Sequence, residues 1–424
     1  MRKKKIKVLT ISDHPLSPSG VGTQAKYIIE ALLQSGKFEV VSLGGAIKHD
    51  NYNSGKVQEY GDDWIIHPVD GYGNPEIVRS IIRTEKPDIL WFMTDPRFWG
   101  WLWHMEDEVR SLIPMVYYHV WDNYPYPHYN YPLYQSNDLI VTISKVTDDI
   151  VATVSPEVNR IHIPHAVDTE VFKKHSPADV QAFRKNAFAK MQNYNPDRKY
   201  FFWNNRNARR KQSGTLLWWF KDFLDVVGHD NAGLIMHTDP KDKHGQDLKR
   251  ILKDRGLDQG QVLLSDQKLP PGSLSLIYDM AIATINIADA EGFGLATLES
   301  LSCETPIVVS MTGGLQEQVK DENDNWFGIG IEPSSKAIIG GQDIPYIYED
   351  RLNKQEFVDA LVKMYNFSNE ERCELGRKGR EHVAKNYNFE NYKKRWVEVM
   401  LDLHERCGSW DDRKDYERWS VEAI

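Results

Sequence analysis

The feature that most restricts the fold is an alternation of short apolar runs with helical stripes, which ends near position 168 and starts again at Tyr200. Ile6-Lys7-Val8-Leu9-Thr10-Ile11-Ser12 has the length and composition of a buried parallel strand. A loop rich in Gly, Pro and Ser, from Ser17 to Gly22, is expected after it. From Thr23 onward, Ala25, Ile28, Ile29, Leu32 and Leu33 fall at helical spacing, and Gly36 ends the run. Phe38 to Leu43 then reads as a second strand. Strand, glycine loop, helix and strand are the opening of a doubly wound domain.

The alternation continues with a helix from Pro75 to Thr84 and strands starting at Ile89, Met115, Leu139 and Ile161. Pro164-His165-Ala166-Val167-Asp168 is turn-rich and marks a boundary. The pattern then restarts, with strands expected from Tyr200, Ala232, Val262, Ile282 and Pro306 and helical patterns between them. From Lys354 the chain reads mainly helical. The expected class is α/β, with a Rossmann-like domain over 1–168, a second over 169–395, and a helical segment over 396–424 packing back on the first.

Composition narrows the function. The chain has 424 residues, 41% hydrophobic and 27% charged, which suits two globular domains. A net charge of −9 supplies no global basic field for nucleic acid, although Arg2 to Lys7 and Arg206 to Lys211 are local basic runs. Cys303, Cys373 and Cys407 are too scattered for a disulfide framework or a metal site. The longest apolar stretch, from Ile89 to Met105, is interrupted by Asp95, Pro96 and Arg97, so no membrane span is expected and the reading is cytoplasmic.

The sharpest chemical signal is Glu291-Gly292-Phe293-Gly294-Leu295-Ala296-Thr297-Leu298-Glu299. It comes after the strand expected from Ile282, and a helix is expected to begin near Leu295. Glycines permit a tight turn and close approach of a ligand, and the free N–H groups of a helix start favour an anion such as a diphosphate. Two carboxylates beside such a ligand can accept hydrogen bonds from sugar and ribose hydroxyls. The second constellation, Asn204-Asn205-Arg206-Asn207-Ala208-Arg209-Arg210-Lys211, places cations just after another strand. Read alone it is a solvated basic turn.

The first of these segments resembles the E-x7-E signature of retaining glycosyltransferases of family 4, through Ser300 to Val309 and Gly313 to Val319. The resemblance implies the GT-B fold, with two doubly wound domains facing a central cleft. It implies sugar contacts at Glu291, ribose contacts at Glu299, and diphosphate contacts at Arg206 and Lys211, which have the family's spacing. Gly20 and Gly22 match the family's first-domain loop over the donor phosphates. His119 matches a histidine that faces the sugar. Gly292, Phe293, Gly294, Leu295 and Ala296 complete the donor set. Asn205 stands where a glycine is usual, His165-Ala166 replaces Asn-Gly, and Asp321 to Tyr348 lacks the family's Asp-Gly-x-x-Gly pattern. Arg209 and Arg210 add charge beyond the family's pattern.

The resemblance therefore implies a glycosyltransferase using a nucleotide sugar, UDP-linked in the first instance, with no cofactor or metal required. The chain has no Asp-x-Asp triplet, the carboxylate pair that holds a divalent ion in transferases of the other main fold. With no evident carboxylate nucleophile, front-face displacement is the expected route. The acceptor is expected on the first domain, which is rich in aromatics. Tyr124-Pro125-Tyr126-Pro127-His128-Tyr129-Asn130-Tyr131-Pro132 is expected to be a loop available for stacking. Two acceptor classes stay open: a glycan or small hydroxylated metabolite, and a hydroxymethylated pyrimidine in DNA, because the basic stretch looks like that of phage-borne members. A GT-B-fold epimerase and a non-catalytic sugar-nucleotide-binding protein are the rival readings.

Overall fold

A computed structural model describes residues 4–189 and 195–418. Arg2 and Lys3 of the first basic run, and residues 419–424 of the expected C-terminal segment, lie outside the described residues. The chain divides into two compact units. One comprises the chain to Ala166 together with 340–347 and the chain from Glu390, and the other comprises 167–339 with 348–389.

The first unit is built on an eight-stranded sheet of β1 (Ile6–Asp13), β2 (Phe38–Gly45), β3 (Gly55–Lys56), β4 (Trp64–Pro68), β5 (Ile89–Thr94), β6 (Met115–His119), β7 (Leu139–Thr142) and β8 (Arg160–His162). Their spatial order is β3-β4-β2-β1-β5-β6-β7-β8. Every pairing is parallel except that of β3 with β4. The order reverses direction at β1, so the switch point of this unit lies between β1 and β5. Burial on both faces explains why β1, β2 and β5 are near-continuous apolar runs.

Several expectations for this unit need correction. Gly20 and Gly22 lie in the first turn of the helix Gly20–Gln34, and not in a loop before it. Ser19 caps that helix by accepting from the Gly22 amide at 3.0 Å, a residue type and position favoured at helix starts. Tyr131 and Pro132 begin a short helix, Tyr131–Gln135, because proline is tolerated in a helix's first turn, where its missing N–H has no partner to lose. The aromatics are mostly core: Trp91, Phe92, Trp99, Trp103, Tyr117, Tyr118, Trp121 and Tyr134 are buried. Tyr124 and Tyr126 are pinned through their hydroxyls to Asp149 at 2.9 and 3.0 Å.

Two stretches beyond position 168 also belong here. The segment 340–347, expected in the second domain, packs in the first unit, where Tyr129 donates to the Tyr346 carbonyl at 2.8 Å. From Glu390, rather than 396, the chain is likewise part of this unit. In the helix Phe389–Cys407, Tyr392, Trp396, Met400 and Leu403 are buried at helical spacing. Trp396 stands edge-on to Trp91 and Tyr118, with centroids at 6.1 and 4.9 Å.

The second unit holds a six-stranded sheet of β9 (Lys199–Asn204), β10 (Ala232–His237), β11 (Val262–Ser265), β12 (Ala283–Asn286), β13 (Ile307–Ser310) and β14 (Gly328–Ile331). The order is β11-β10-β9-β12-β13-β14, all parallel. Its switch point lies between β9 and β12. A separate two-stranded sheet pairs β15 (Ser335–Ile339) with β16 (Ile347–Arg351). Strands β3, β4, β14, β15 and β16 were not among those expected. No helix among the described residues is long and apolar enough to cross a membrane.

Trp396 fills the interior of the first unit on a helix that comes last in the chain. Trp396→Ala is expected to cost about 3–5 kcal/mol through the cavity it leaves. Chemical denaturation followed by fluorescence of the remaining tryptophans measures that loss.

Candidate active site

The two constellations singled out in the sequence leave the sheet from adjacent strands on either side of a switch point. The basic run comes after β9 and the glutamate-rich segment after β12. In open α/β sheets a crevice forms there, because neighbouring strands send their connections to opposite faces.

After β9 the chain is held low by Asn207, which is fully buried. Its amide nitrogen donates to the Gln246 carbonyl at 2.8 Å, and its oxygen accepts from the Ser213 hydroxyl at 2.6 Å. A 3-10 turn over Arg209–Lys211 then leads through Gln212, at φ 56°, into the helix Ser213–Val227. This turn buries Lys211, whose ammonium donates to Glu291 Oε2. Arg206 is not brought to that pair: its side chain is 63% exposed and ion-paired with Asp242 at 2.5 Å.

After β12, Asn286 donates to Glu291 Oε2 at 3.2 Å, and the Glu291 carbonyl accepts from the Gly314 amide at 3.0 Å. Burial pushes the Glu291 carboxyl up, but Lys211 and Arg210 outweigh it and hold the group below the ordinary glutamate value. Glu291 is therefore an ionised acceptor inside the protein.

Gly294 has φ 92°, and a Cβ there would sit 2.6 Å from Leu315 Cδ2 and 2.7 Å from Thr297 Oγ1. Both conformation and space demand glycine. Gly292 sits under Gly314, where a Cβ on Gly314 would come within 2.7 Å of the Gly292 carbonyl. Phe293 faces inward, buried edge-on to Tyr387 at 5.7 Å, so its side chain is core, and its carbonyl accepts from Gln318 at 2.7 Å. The helix Leu295–Ser302 then begins with no side chain capping its first turn. Leu295 and Ala296 are half-buried in that turn, where helix N–H groups lack partners within the helix.

Glu299 is reached by a chain of hydrogen bonds unseen in the sequence. Asn204 at the end of β9 donates to the Tyr278 hydroxyl at 2.9 Å, and Tyr278 donates to Glu299 Oε2 at 2.6 Å. Burial pushes the Glu299 carboxyl up to about 7, with Tyr278 holding it part of the way back, although the residue keeps some exposed surface. Of the partners in this chain of hydrogen bonds only Asn204, which opens the basic constellation, was singled out in the sequence. Tyr278 offered no signal, because a tyrosine at helical spacing reads as core.

In the first unit, His119 ends β6 and is fully buried. Its Nε2 lies 2.9 Å from the Tyr134 hydroxyl, and Nδ1 has no hydrogen-bond partner among the described residues. Burial lowers its pKa to about 3, so the ring is neutral and can exchange a hydrogen bond but not a charge. At the β1–β5 switch point, Ser19 donates to Asp13 at 2.6 Å and Tyr72 donates to the same carboxylate at 2.8 Å. A Cβ at Gly22 would meet Ser17 Oγ at 2.4 Å. The Gly22 amide is committed to Ser19, so this glycine is explained by packing against the loop before it. Thr94, ending β5, holds φ 134°, a strained conformation for a β-branched residue, and its carbonyl accepts from Tyr117 at 2.7 Å.

Residues 223–353 match the family model described as Glycosyl transferases group 1. That span contains Glu291 and Glu299 and stops short of Arg206 and Lys211. Two curated relatives bear the name D-inositol 3-phosphate glycosyltransferase. The one from Corynebacterium urealyticum is 27% identical over 156 residues, 37% of this chain and 31% of its own length. The one from Acidothermus cellulolyticus is 38% identical over 90 residues, 21% of this chain and 20% of its own. The chain thus matches less than a third of the length of either relative.

Among solved structures, sucrose-phosphate synthase from Thermosynechococcus elongatus superposes with a TM-score of 0.73 at 15% identity, covering 95% of this chain and 100% of the other. Anabaena HepE, in complex with UDP-glucose, gives 0.68 at 12% identity, covering 94% and 100%. At these identities the likeness shows the fold, which is GT-B with two Rossmann-like domains.

Lys211→Met leaves the buried Glu291 without its ion-pair partner, with only Arg210 nearby, and is expected to cost about 3–5 kcal/mol near neutral pH. Without Lys211, the Glu291 pKa rises relative to wild type, because Arg210 and Asn286 are left to oppose burial alone. The deficit is then largest at pH 8 and shrinks as the pH falls and Glu291 takes up a proton. Urea denaturation of wild type and variant at pH 8 and pH 5 checks both sign and size.

Proposed function

We propose that the protein is a retaining glycosyltransferase that moves a sugar from a nucleotide sugar, UDP-linked in the first instance, to an acceptor hydroxyl. The observation that carries this reading is the meeting of Lys211, Glu291 and the uncapped helix start Leu295–Ala296 at the β9–β12 switch point, with Glu299 on the same helix. The match of residues 223–353 to a glycosyltransferase model supports it, as do the activity for which the curated relatives are named and the UDP-glucose bound to HepE.

In this mechanism the backbone N–H groups of the first helical turn and the Lys211 ammonium take the diphosphate. Both meet the negative charge that grows as the C1–oxygen bond breaks. Arg206, exposed on Asp242, exchanges that carboxylate for phosphate oxygen when donor arrives. Glu299 accepts from the ribose hydroxyls and the ionised Glu291 accepts from hydroxyls of the transferred sugar, fixing its ring. The acceptor oxygen attacks C1 from the face the leaving group departs, and its proton passes to the departing phosphate oxygen. The protein's share is then positioning and charge stabilisation, with no covalent intermediate and no metal required.

The first unit is the proposed acceptor-binding half. A glycan or small hydroxylated metabolite is favoured over a flipped pyrimidine, because most of the aromatics that would stack on a base are core. Tyr52, Phe98 and Tyr131 are exposed exceptions, at 56%, 45% and 44%.

Incubation with UDP-, GDP- and ADP-sugars, in chelator and with or without hydroxymethylcytosine-containing DNA, tests this directly. Nucleotide release that needs a hydroxylated acceptor is expected. Donor converted to an isomer without acceptor would favour an epimerase, tight binding with no turnover a sensor, and hexose mass on the base the DNA acceptor.

Donor binding is also expected to be pH-dependent. The ribose needs Glu299 ionised, so UDP affinity should strengthen as the pH rises from 6 to 8 through a pKa of about 7. Glu299→Ala should weaken UDP binding by roughly 10-fold or more and flatten the pH profile. Calorimetric titration of both proteins measures this, and a flat wild-type profile contradicts the role given to Glu299.

A further inference from the structure

We propose that Glu349 and Arg351 on β16, with Arg209 and Asp289, are positioning residues that hold Lys211 and Glu291 in register. Strand β16, outside the six-stranded sheet, thereby sets the geometry of the donor site. The inference rests on the proposed donor role of Lys211 and Glu291.

Glu349 and Asp289 are both buried, at 2% and 4% exposure. Two guanidinium groups meet them. Arg209 grips Glu349 in a bidentate pair at 2.8 and 2.5 Å. Arg351 reaches Glu349 at 2.9 Å and Asp289 at 3.0 Å. Arg209 lies two residues before Lys211 and Asp289 two residues before Glu291, so the cluster flanks the pair on both sides.

Further bonds tie the same loops together. Gln212, next to Lys211, donates to Asp289 at 2.6 Å. The Asp289 amide donates to the Arg210 carbonyl at 2.8 Å, and the Arg210 guanidinium donates to the Ala290 carbonyl at 2.5 Å. From β16, the Asp350 amide donates to the Asp289 carbonyl at 2.9 Å. The Lys211–Glu291 contact is thus one of several links between the two loops, and the others fix its alignment.

Charge suits this task better than apolar packing. A hydrophobic cluster would join the loops with less desolvation, but it would not dictate direction. Planar guanidinium–carboxylate pairs do. The network also gives a reason for two departures from the family pattern at once, since the extra Arg209 finds its partner in the strand that closes the atypical stretch from Asp321 to Tyr348.

Glu349→Gln in the full chain is the test, with Arg351→Lys as the conservative companion. Turnover per bound nucleotide is expected to fall roughly 10- to 100-fold, as for a displacement on the order of 1 Å, with UDP affinity falling less, because displaced Lys211 weakens the diphosphate contact while the ribose contact at Glu299 lies outside the network. Arg351→Lys, which keeps the charge and loses the fork, should fall between this variant and wild type. Adding Arg209→Met to Glu349→Gln should cost less than the sum of the two, since both break the Arg209–Glu349 pair. Hydrogen exchange supplies a readout independent of activity: amides over 289–291 should exchange faster in Glu349→Gln while the sheet strands stay protected. Unchanged exchange there, or unchanged turnover per bound nucleotide, overturns the positioning role. A wild-type protein that turns over no nucleotide sugar overturns the donor reading instead, and the exchange result alone then decides on the brace.

Discussion

The second unit is organised around one buried ion pair, Lys211 with Glu291, placed where the sheet changes direction. A lone buried carboxylate would neutralise itself or destabilise the fold, and a lone buried ammonium would do the same. Because each compensates the other, the protein can keep an ionised acceptor and a cation buried side by side. The glycines are a consequence of this constraint. Gly294 must turn left-handed to start the helix Leu295–Ser302, and Gly314 must leave room for the Gly292 carbonyl, or the loop carrying Glu291 could not lie flat against the sheet end.

The two carboxylates of the glutamate-rich segment sit in different electrostatic settings. Glu291 has cations beside it and is held below its ordinary pKa. Glu299 has a tyrosine hydroxyl and burial, and burial pushes it up to about 7. Glu291 is held toward its ionised form, and Glu299 is pushed up to about 7. That division suits a site in which one carboxylate fixes the reacting sugar and the other senses the nucleotide.

Much of this was legible in the sequence, and the exceptions have physical causes. Buried parallel strands are continuous apolar runs, so β1, β2, β5, β9 and β10 announced themselves. Strand β14 did not: its Gly328 lies where a Cβ would meet the Ile307 carbonyl at 2.0 Å, and a glycine required by strand approach looks like a turn. Strands β15 and β16 carry Lys336, Glu349, Asp350 and Arg351, charged residues that give no continuous apolar run. The loop expected around Gly20 and Gly22 proved to be a capped helix start. In the candidate site, Glu291, Glu299 and Lys211 were named through the family resemblance, whereas Arg206, named with them, is not brought to the Lys211–Glu291 pair. The partners Tyr278 and Glu349 were not, because they lie 21 and 140 residues from the groups they hold. No local pattern carries that information. Among the aromatics, apolar packing took most of what stacking on an acceptor could have claimed.

Everything proposed for the second unit requires its β9–β12 switch point to receive a nucleoside diphosphate. A crystal structure of the protein soaked with UDP tests this most directly. Phosphate oxygens are expected within hydrogen-bond distance of the Leu295 or Ala296 amide and of Lys211 Nζ, with a ribose hydroxyl on Glu299. UDP bound away from this switch point, with Lys211 and Glu291 untouched, would contradict it.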